Sequence, residues 1–284
     1  MKRGGEKFFK GREFAKEWER CLKKEFLSLK KGLVLGVVLV GDDPASILYV
    51  RKKEEMARRL GVDFRLARLE GEKEVREKIK EWNKKKEVNG IMMQLPLSKG
   101  LRDIQSELVS LIDRGKDVDG LREKSEREAG VVRAVREVLE QELVEEVKKW
   151  QRIVVVGRGV VGKNIVQMWK RIKAEKDLDF SVVWVAGRDE NLKEYTSGAD
   201  VIVTAVGCKS GLLTGEMVKK GVVVFDLGTM KVEGGVGLAG DVDLKTVSGK
   251  ASWVAGVPGG MGPVTVTALF ANLVELVGKR SERD

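Results

Sequence analysis

The sequence predicts an α/β protein with parallel sheets: an N-terminal α/β domain followed by a C-terminal Rossmann-like dinucleotide-binding domain. Three observations predict this. Strand-like and helix-like segments alternate along the chain, as in parallel sheets with crossover helices. Leu33–Val40 is a continuous apolar run of strand length, the pattern of a strand buried on both faces. Arg152–Val156 runs straight into a complete G-x-G-x-x-G, Gly157 to Gly162.

Residues 12–31 place Phe14, Trp18, Leu22, Phe26 and Leu29 at three- and four-residue steps, which predicts an amphipathic helix. After the Leu33–Val40 strand, Gly41-Asp42-Asp43-Pro44 supplies a turn, a cap and a proline at a helix start, and the helix reaches about Leu60. A strand at Phe64–Leu69, a charged helix at Glu72–Lys86, a strand from Gly90 to Leu95 and a helix from Asp103 to Ile112 follow. The second series has strands at Arg152–Val156, Ser181–Ala186, Asp200–Ala205 and Val222–Leu227, with helices near 162–173, 190–196 and 214–220. A closing helix from Pro263 to about Val277 carries Val266, Leu269, Phe270, Leu273 and Val277 on one face. The domains are expected at 1–130, joined by the last helix at about 263–284, and at 131–262.

The 284 residues contain 42% hydrophobic side chains, enough for a sizeable core. No apolar run is read as approaching the roughly 18 residues that span a bilayer, and Met1 to Lys7 shows no signal peptide, so a cytoplasmic protein is expected. Two distant cysteines, Cys21 and Cys208, without a CxxC, predict neither a disulfide framework nor a zinc site. There is no histidine, so acid–base chemistry falls to Lys, Asp, Glu or Tyr. The formal charge is +10, which alone admits nucleic acid or an anionic small molecule as partner. Lysines and glutamates alternate, as in Glu72–Lys78, so solvated helix faces are favoured over a nucleic-acid surface.

In the glycine loop, Gly157 permits a tight turn, Gly159 lets backbone approach a pyrophosphate, and Gly162 lets helix and strand pack closely. A turn that merely needs glycines is the competing reading. The next strand ends Val185-Ala186-Gly187-Arg188 with no acid for a ribose 2′-hydroxyl. Arg188 suits a 2′-phosphate, with Arg158 as a second donor, so NADP is favoured over NAD. Ordinary surface arginines are the alternative.

Tyr49 and Lys53 lie four apart on one predicted helix face, just after a strand end where α/β ligand crevices form. Gln94 ends another strand, and Asp119 lies in Lys116-Asp117-Val118-Asp119-Gly120. Four such groups from separate strand ends suit one small ligand, although charged surface is the default reading of Lys53 and Asp119.

Gly41–Ser46 with Tyr49–Lys53, Gly90–Leu97, Lys116–Gly120, Gly240-Asp241-Val242-Asp243 and Val257–Thr265 together resemble the bifunctional methylenetetrahydrofolate dehydrogenase/cyclohydrolase (FolD) family, in the family's order. The resemblance implies oxidation of 5,10-methylenetetrahydrofolate with NADP and hydrolysis of the methenyl product. It implies a folate-binding catalytic first domain and a homodimer through the second. Lys53 matches the family's catalytic lysine, Tyr49 the tyrosine that packs on folate, Gln94 the lysine's partner, and Asp119 the acid that holds the pterin. Pro258, Gly259, Gly260, Gly262 and Pro263 match a loop bordering the active site. The chain departs from the family's Pro-Cys-Thr-Pro segment at Glu126–Val132, from its longer dinucleotide loop, and from its Gly-Ile-Asn at Gly228-Thr229-Met230; Cys208, Lys209 and Ser210 replace a Gly-Lys-Pro-like turn. These departures fall on or beside the cofactor half. They leave a cyclohydrolase with a degraded nucleotide site as the alternative, with a shikimate-type dehydrogenase and a nucleic-acid-binding protein behind it.

Overall fold

The computed structural model describes residues 6–29, 32–122, 125, 127–232 and 237–281. Met1–Gly5 and Glu126, both read above, lie outside the described residues. In chain order the elements are α1 (Gly11–Ser28), β1 (Val34–Val40), α2 (Pro44–Leu60), β2 (Asp63–Leu69), α3 (Glu72–Lys84), β3 (Gly90–Met93), α4 (Gln105–Ser110), α5 (Gly130–Glu142), β4 (Arg152–Val156) and α6 (Val160–Glu175). Then come β5 (Ser181–Val185), α7 (Leu192–Thr196), β6 (Val201–Thr204), β7 (Val223–Asp226), β8 (Met230–Lys231), β9 (Leu238–Ala239), α8 (Leu244–Val247), β10 (Trp253–Ala255) and α9 (Met261–Ser281). The helix expected at 214–220 is a single 3-10 turn, Gly215–Met217. The short strand β10 and the β8/β9 ladder have no counterpart among the expected elements.

The chain forms two compact units: Lys16–Gly130 with the segment from Thr265, and the segment up to Ala15 with Val131–Val264. The sequence division differs at its start, since it grouped the first residues with the first domain. Backbone pairing is the reason. Phe9 N–H donates to Val254 O at 2.9 Å and Val254 N–H to Lys7 O at 2.8 Å, so residues 7–9 line the free edge of β10. Phe9 also stacks on Trp253, with ring centroids 5.2 Å apart.

The unit from Lys16 has a parallel sheet in the order β2-β1-β3, extended past β3 by a parallel bridge between Ile91 and Asp117. Every residue of β1 is buried, and alternation sorts its side chains between two cores. Leu35, Val37 and Leu39 join α2 and α9 residues such as Val50, Phe270 and Leu273; Val34, Val38 and Val40 join Val75, Ile79 and Trp82 of α3. Gly36 faces α3, where a Cβ would come within 2.6 Å of the Trp82 ring. Helix α2 starts as its sequence dictates, with Asp43 Oδ2 accepting from Ser46 N–H at 2.8 Å and Pro44 in the first turn.

The other unit has a five-stranded parallel sheet in the order β10-β7-β6-β4-β5. The first strand, β4, has the second on one side and the third on the other. The order therefore reverses at β4, and the crevice outside its C-terminal end is the expected ligand position. Val154, Val156, Ile202, Val224 and Val254 fill one face of this sheet.

Among the described residues one segment, Met261–Gly278 of α9, is long and apolar enough to cross a bilayer. The sequence reading passed over it. Seventy-two per cent of that window is buried inside the protein, as expected of a core helix.

Candidate active site

In the unit from Lys16, α2 follows β1, Gln94 follows β3, and Asp119 follows the bridge residue Asp117, so all three side chains start from the C-terminal edge of one parallel sheet. Lys53 Nζ donates to Gln94 Oε1 at 2.8 Å. Gln94 Nε2 donates to Leu95 O at 2.8 Å, which fixes which end of the amide faces the lysine. Burial pushes the Lys53 ammonium below its ordinary pKa, against the opposing pull of Asp119. Burial likewise pushes Asp119 up to about 6, with Lys53 opposing and Asp117 adding to the rise. Both shifts favour uncharged forms in a shared, weakly solvated place. Tyr49 lies one turn before Lys53 and is half-buried, with Lys52 Nζ 5.2 Å from its ring centroid.

Three residues that the sequence reading gave no role hold this arrangement. Asp117 is buried and organises the turn that carries Asp119: its carboxylate accepts from Gly120 N–H at 3.0 Å, Arg122 N–H at 3.3 Å and Ser125 Oγ at 2.9 Å. The adjacent Lys116 is also buried, and Nζ donates to the carbonyls of Trp82, Asn83 and Lys85, closing the end of α3. From α9, Asn272 Nδ2 donates to Val118 O at 2.9 Å and Glu128 O at 3.1 Å, clamping both ends of the Asp119 segment. The partners lie 144 and 154 positions away, beyond any local pattern.

In the other unit the glycine loop has the geometry a pyrophosphate needs. Gly157 has φ +121°, and a Cβ there would lie 2.3 Å from Ala205 O. A Cβ on Gly162 would lie 1.9 Å from Gly157 O, so helix and loop touch there. At Gly159 nothing lies within 4 Å of the Cβ position, and this residue caps α6 without a side-chain acceptor, leaving open space in front of amides at a helix N-terminus. The loop thus fits the phosphates of a dinucleotide.

Arg158 and Arg188 follow adjacent strands, paired through Val156 and Val185. Both are exposed. Arg158 is engaged with Trp184, donating to its carbonyl at 3.2 Å and lying 5.6 Å from its ring centroid. Arg188 has no hydrogen-bond partner among the described residues.

Two buried carboxylates that received no individual role stand at the same end of this sheet. Asp226 Oδ1 accepts from Thr204 Oγ1, Gly228 N–H and Asp241 N–H, and Oδ2 accepts from Val242 N–H, at 3.0–3.1 Å. Asp241 accepts from Val206 N–H at 2.7 Å and Gly207 N–H at 2.8 Å. Burial raises both, Asp226 to about 6. The Val257–Gly262 loop belongs to this unit too: Gly259 has φ +99°, Gly260 N–H donates to Gly256 O at 2.9 Å, and Pro263 lies in the first turn of α9.

Fold and sites together define a two-unit α/β enzyme, with a buried lysine–amide–carboxylate group on one sheet and a dinucleotide loop on the other. Comparison with known proteins makes the class specific. The family model for the tetrahydrofolate dehydrogenase/cyclohydrolase catalytic domain matches residues 9–119, and that for the NAD(P)-binding domain of the same enzymes matches residues 130–281. The chain is 36% identical over 282 residues to the bifunctional protein FolD of an Exiguobacterium species, covering 95% of this chain and 98% of that one. Among solved structures, the bifunctional enzyme FolD of Campylobacter jejuni superposes with a TM-score of 0.84 at 29% identity, covering 96% of this chain and 99% of that one. FolD of Trypanosoma brucei, complexed with NADP cofactor and inhibitor, gives 0.85 at 26% identity, with 98% of each chain covered. The protein belongs to the tetrahydrofolate dehydrogenase/cyclohydrolase family.

Proposed function

We propose that this protein oxidises 5,10-methylenetetrahydrofolate to 5,10-methenyltetrahydrofolate with NADP and hydrolyses the product to 10-formyltetrahydrofolate. The observation that carries the reading is the Lys53–Gln94 hydrogen bond beside Asp119, with the lysine pKa depressed by burial.

A lysine held toward its neutral form takes a proton from water as it adds to the cationic methenyl carbon, and returns it to nitrogen as the ring C–N bond breaks; the remaining hydroxyl proton leaves to solvent as the formyl C=O forms. Gln94 Oε1 takes one N–H of Lys53 and so sets the direction of the nitrogen lone pair. We assign Asp119 to the pterin, whose adjacent N–H groups suit a carboxylate acceptor, and Tyr49 to packing against the folate ring system. Pro258, Gly259, Gly260, Gly262 and Pro263 border the substrate in this reading. Gly157, Gly159 and Gly162 hold the pyrophosphate, and Arg188, with Arg158, holds the 2′-phosphate. The dinucleotide, when bound, supplies the acceptor for the hydride leaving the methylene carbon; the chain's part in that step is alignment. The open Gly159 and the tight contacts at Gly157 and Gly162 favour retention of the nucleotide site over a cyclohydrolase alone.

The same reading makes the protein a cytoplasmic homodimer that uses neither nucleic acid nor membrane. The exposed, unpaired Cys21 and Cys208 suit a reducing compartment.

The test is an absorbance assay with methylenetetrahydrofolate and NADP or NAD. Methenyl product followed by its decay supports both activities. Decay of supplied methenyltetrahydrofolate without any oxidation would leave only the hydrolase.

A further inference from the structure

The glycine loop after β4 and Arg188 after β5 account for the pyrophosphate and the adenosine side of a dinucleotide, on the reading above. The remaining half then extends to the other side of β4, over the ends of β6 and β7. The loop leaving β6 touches the glycine loop, since Ala205 O abuts Gly157. Its next two backbone N–H groups are both taken by Asp241, Val206 by Oδ2 at 2.7 Å and Gly207 by Oδ1 at 2.8 Å. A trans peptide is planar with N–H and C=O on opposite sides. With Gly207 N–H turned to Asp241, the Val206 carbonyl points the other way, and it has no hydrogen-bond partner among the described residues.

Asp241 is itself tightly set. It is fully buried, its own N–H donates to Asp226 Oδ1 at 3.1 Å, and a Cβ on Gly228 would lie 2.1 Å from its carboxyl group. This is a two-carboxylate support under one short loop.

We infer that Asp241 is a positioning residue for the nicotinamide half of the dinucleotide, holding the Val206–Gly207 peptide so that the Val206 carbonyl accepts from the ring carboxamide. The inference rests on the NADP reading and goes beyond it in naming how that half is recognised.

Titration calorimetry with NADP and with adenosine 2′,5′-bisphosphate, which lacks the nicotinamide half, tests this. In Asp241→Asn one oxygen becomes an NH2 that faces a backbone N–H. The NADP dissociation constant is expected to rise about tenfold or more, the loss of one charge-assisted hydrogen bond. Affinity for the bisphosphate is expected to stay within about twofold. A second variant, Gly207→Ala, guards against misfolding of the first. It leaves the buried pair intact and strains the loop through its φ of +66°, with 3.4 Å of room to Thr229 O, and the same selective loss is expected. A cooperative unfolding transition like the parent's reports that each variant is folded. Unchanged NADP affinity in folded variants, or equal loss of both ligands, overturns the inference. A parent protein that binds neither ligand overturns the NADP reading itself, and the inference with it.

Discussion

Gln94 gives its amide to the Leu95 carbonyl and its oxygen to Lys53, both at 2.8 Å, so one side chain just past β3 orients a lysine that approaches from α2. The pair is a directional device: a glutamine flipped end for end would confront an ammonium or amine N–H with its own NH2.

Replacing the lysine tests the chemistry without emptying the site. Lys53→Met keeps length and apolar bulk and removes the nitrogen. Methenyltetrahydrofolate hydrolysis is expected to fall about 10²- to 10⁴-fold, while folate affinity stays within about tenfold. Hydrolysis at the parent rate would remove Lys53 from the mechanism.

Asp119→Asn separates binding from stability. Loss of the carboxylate acceptor is expected to weaken folate binding by about 1–3 kcal/mol. The stability effect has the opposite sign at neutral pH. The folded-state pKa of Asp119 is raised from 3.8 to about 6, so between those values the native protein binds more protons than the unfolded chain. Stability then falls as pH rises through that window. Asp226, raised to the same range, adds a similar slope. Urea unfolding at several pH values from about 4 to about 7 is expected to show a shallower decline in Asp119→Asn than in the parent. An identical slope would contradict the assignment.

Asn272→Ala probes the clamp. The buried Val118 O and the partly buried Glu128 O lose this donor, at a cost of about 1–3 kcal/mol in unfolding free energy. Because those carbonyls bracket Asp119, the KM for folate is also expected to rise. A variant destabilised with unchanged KM would show that the clamp serves the fold alone.

For the cofactor, NADP is expected to bind about tenfold to a hundredfold more tightly than NAD, the range of one charge-assisted contact. Arg188→Ala is expected to narrow that gap, and Arg158→Ala to narrow it less, since Arg158 is already engaged with Trp184. Dissociation constants for both nucleotides decide it. Equal affinities in the parent would refute the preference.

Much of this arrangement was written in local pattern. The buried run of β1, the Asp43–Pro44 start of α2 and the glycine loop after β4 each rest on residues close in sequence, and each stands where the pattern placed it. The Tyr49/Lys53 spacing put both on one helix, but only the fold brings Gln94, 41 positions away, within a hydrogen bond of Lys53. What escaped the sequence has distant causes. Strand β10 is three residues long, and its edge is lined by residues 7–9. Lys116 and Asp117 carried no individual role in the sequence, because most of their acceptors and donors are backbone groups, which leave no trace in side-chain spacing. The segment 214–220 closes only one 3-10 turn, Gly215–Met217, before β7 begins.

Order of synthesis follows from α9. Phe270 and Leu273 complete the core around Leu35 and Val37, yet the ribosome makes them only after Val131–Val264. At ordinary elongation rates that is a delay on the order of ten seconds. Throughout it, the nascent β2-β1-β3 sheet lacks one wall of its core, and by its end the other unit has all its strands. The sheet whose strands are made first is therefore the one whose core is completed last, and the apolar face of β1 is the surface a chaperone would have to shield in the meantime.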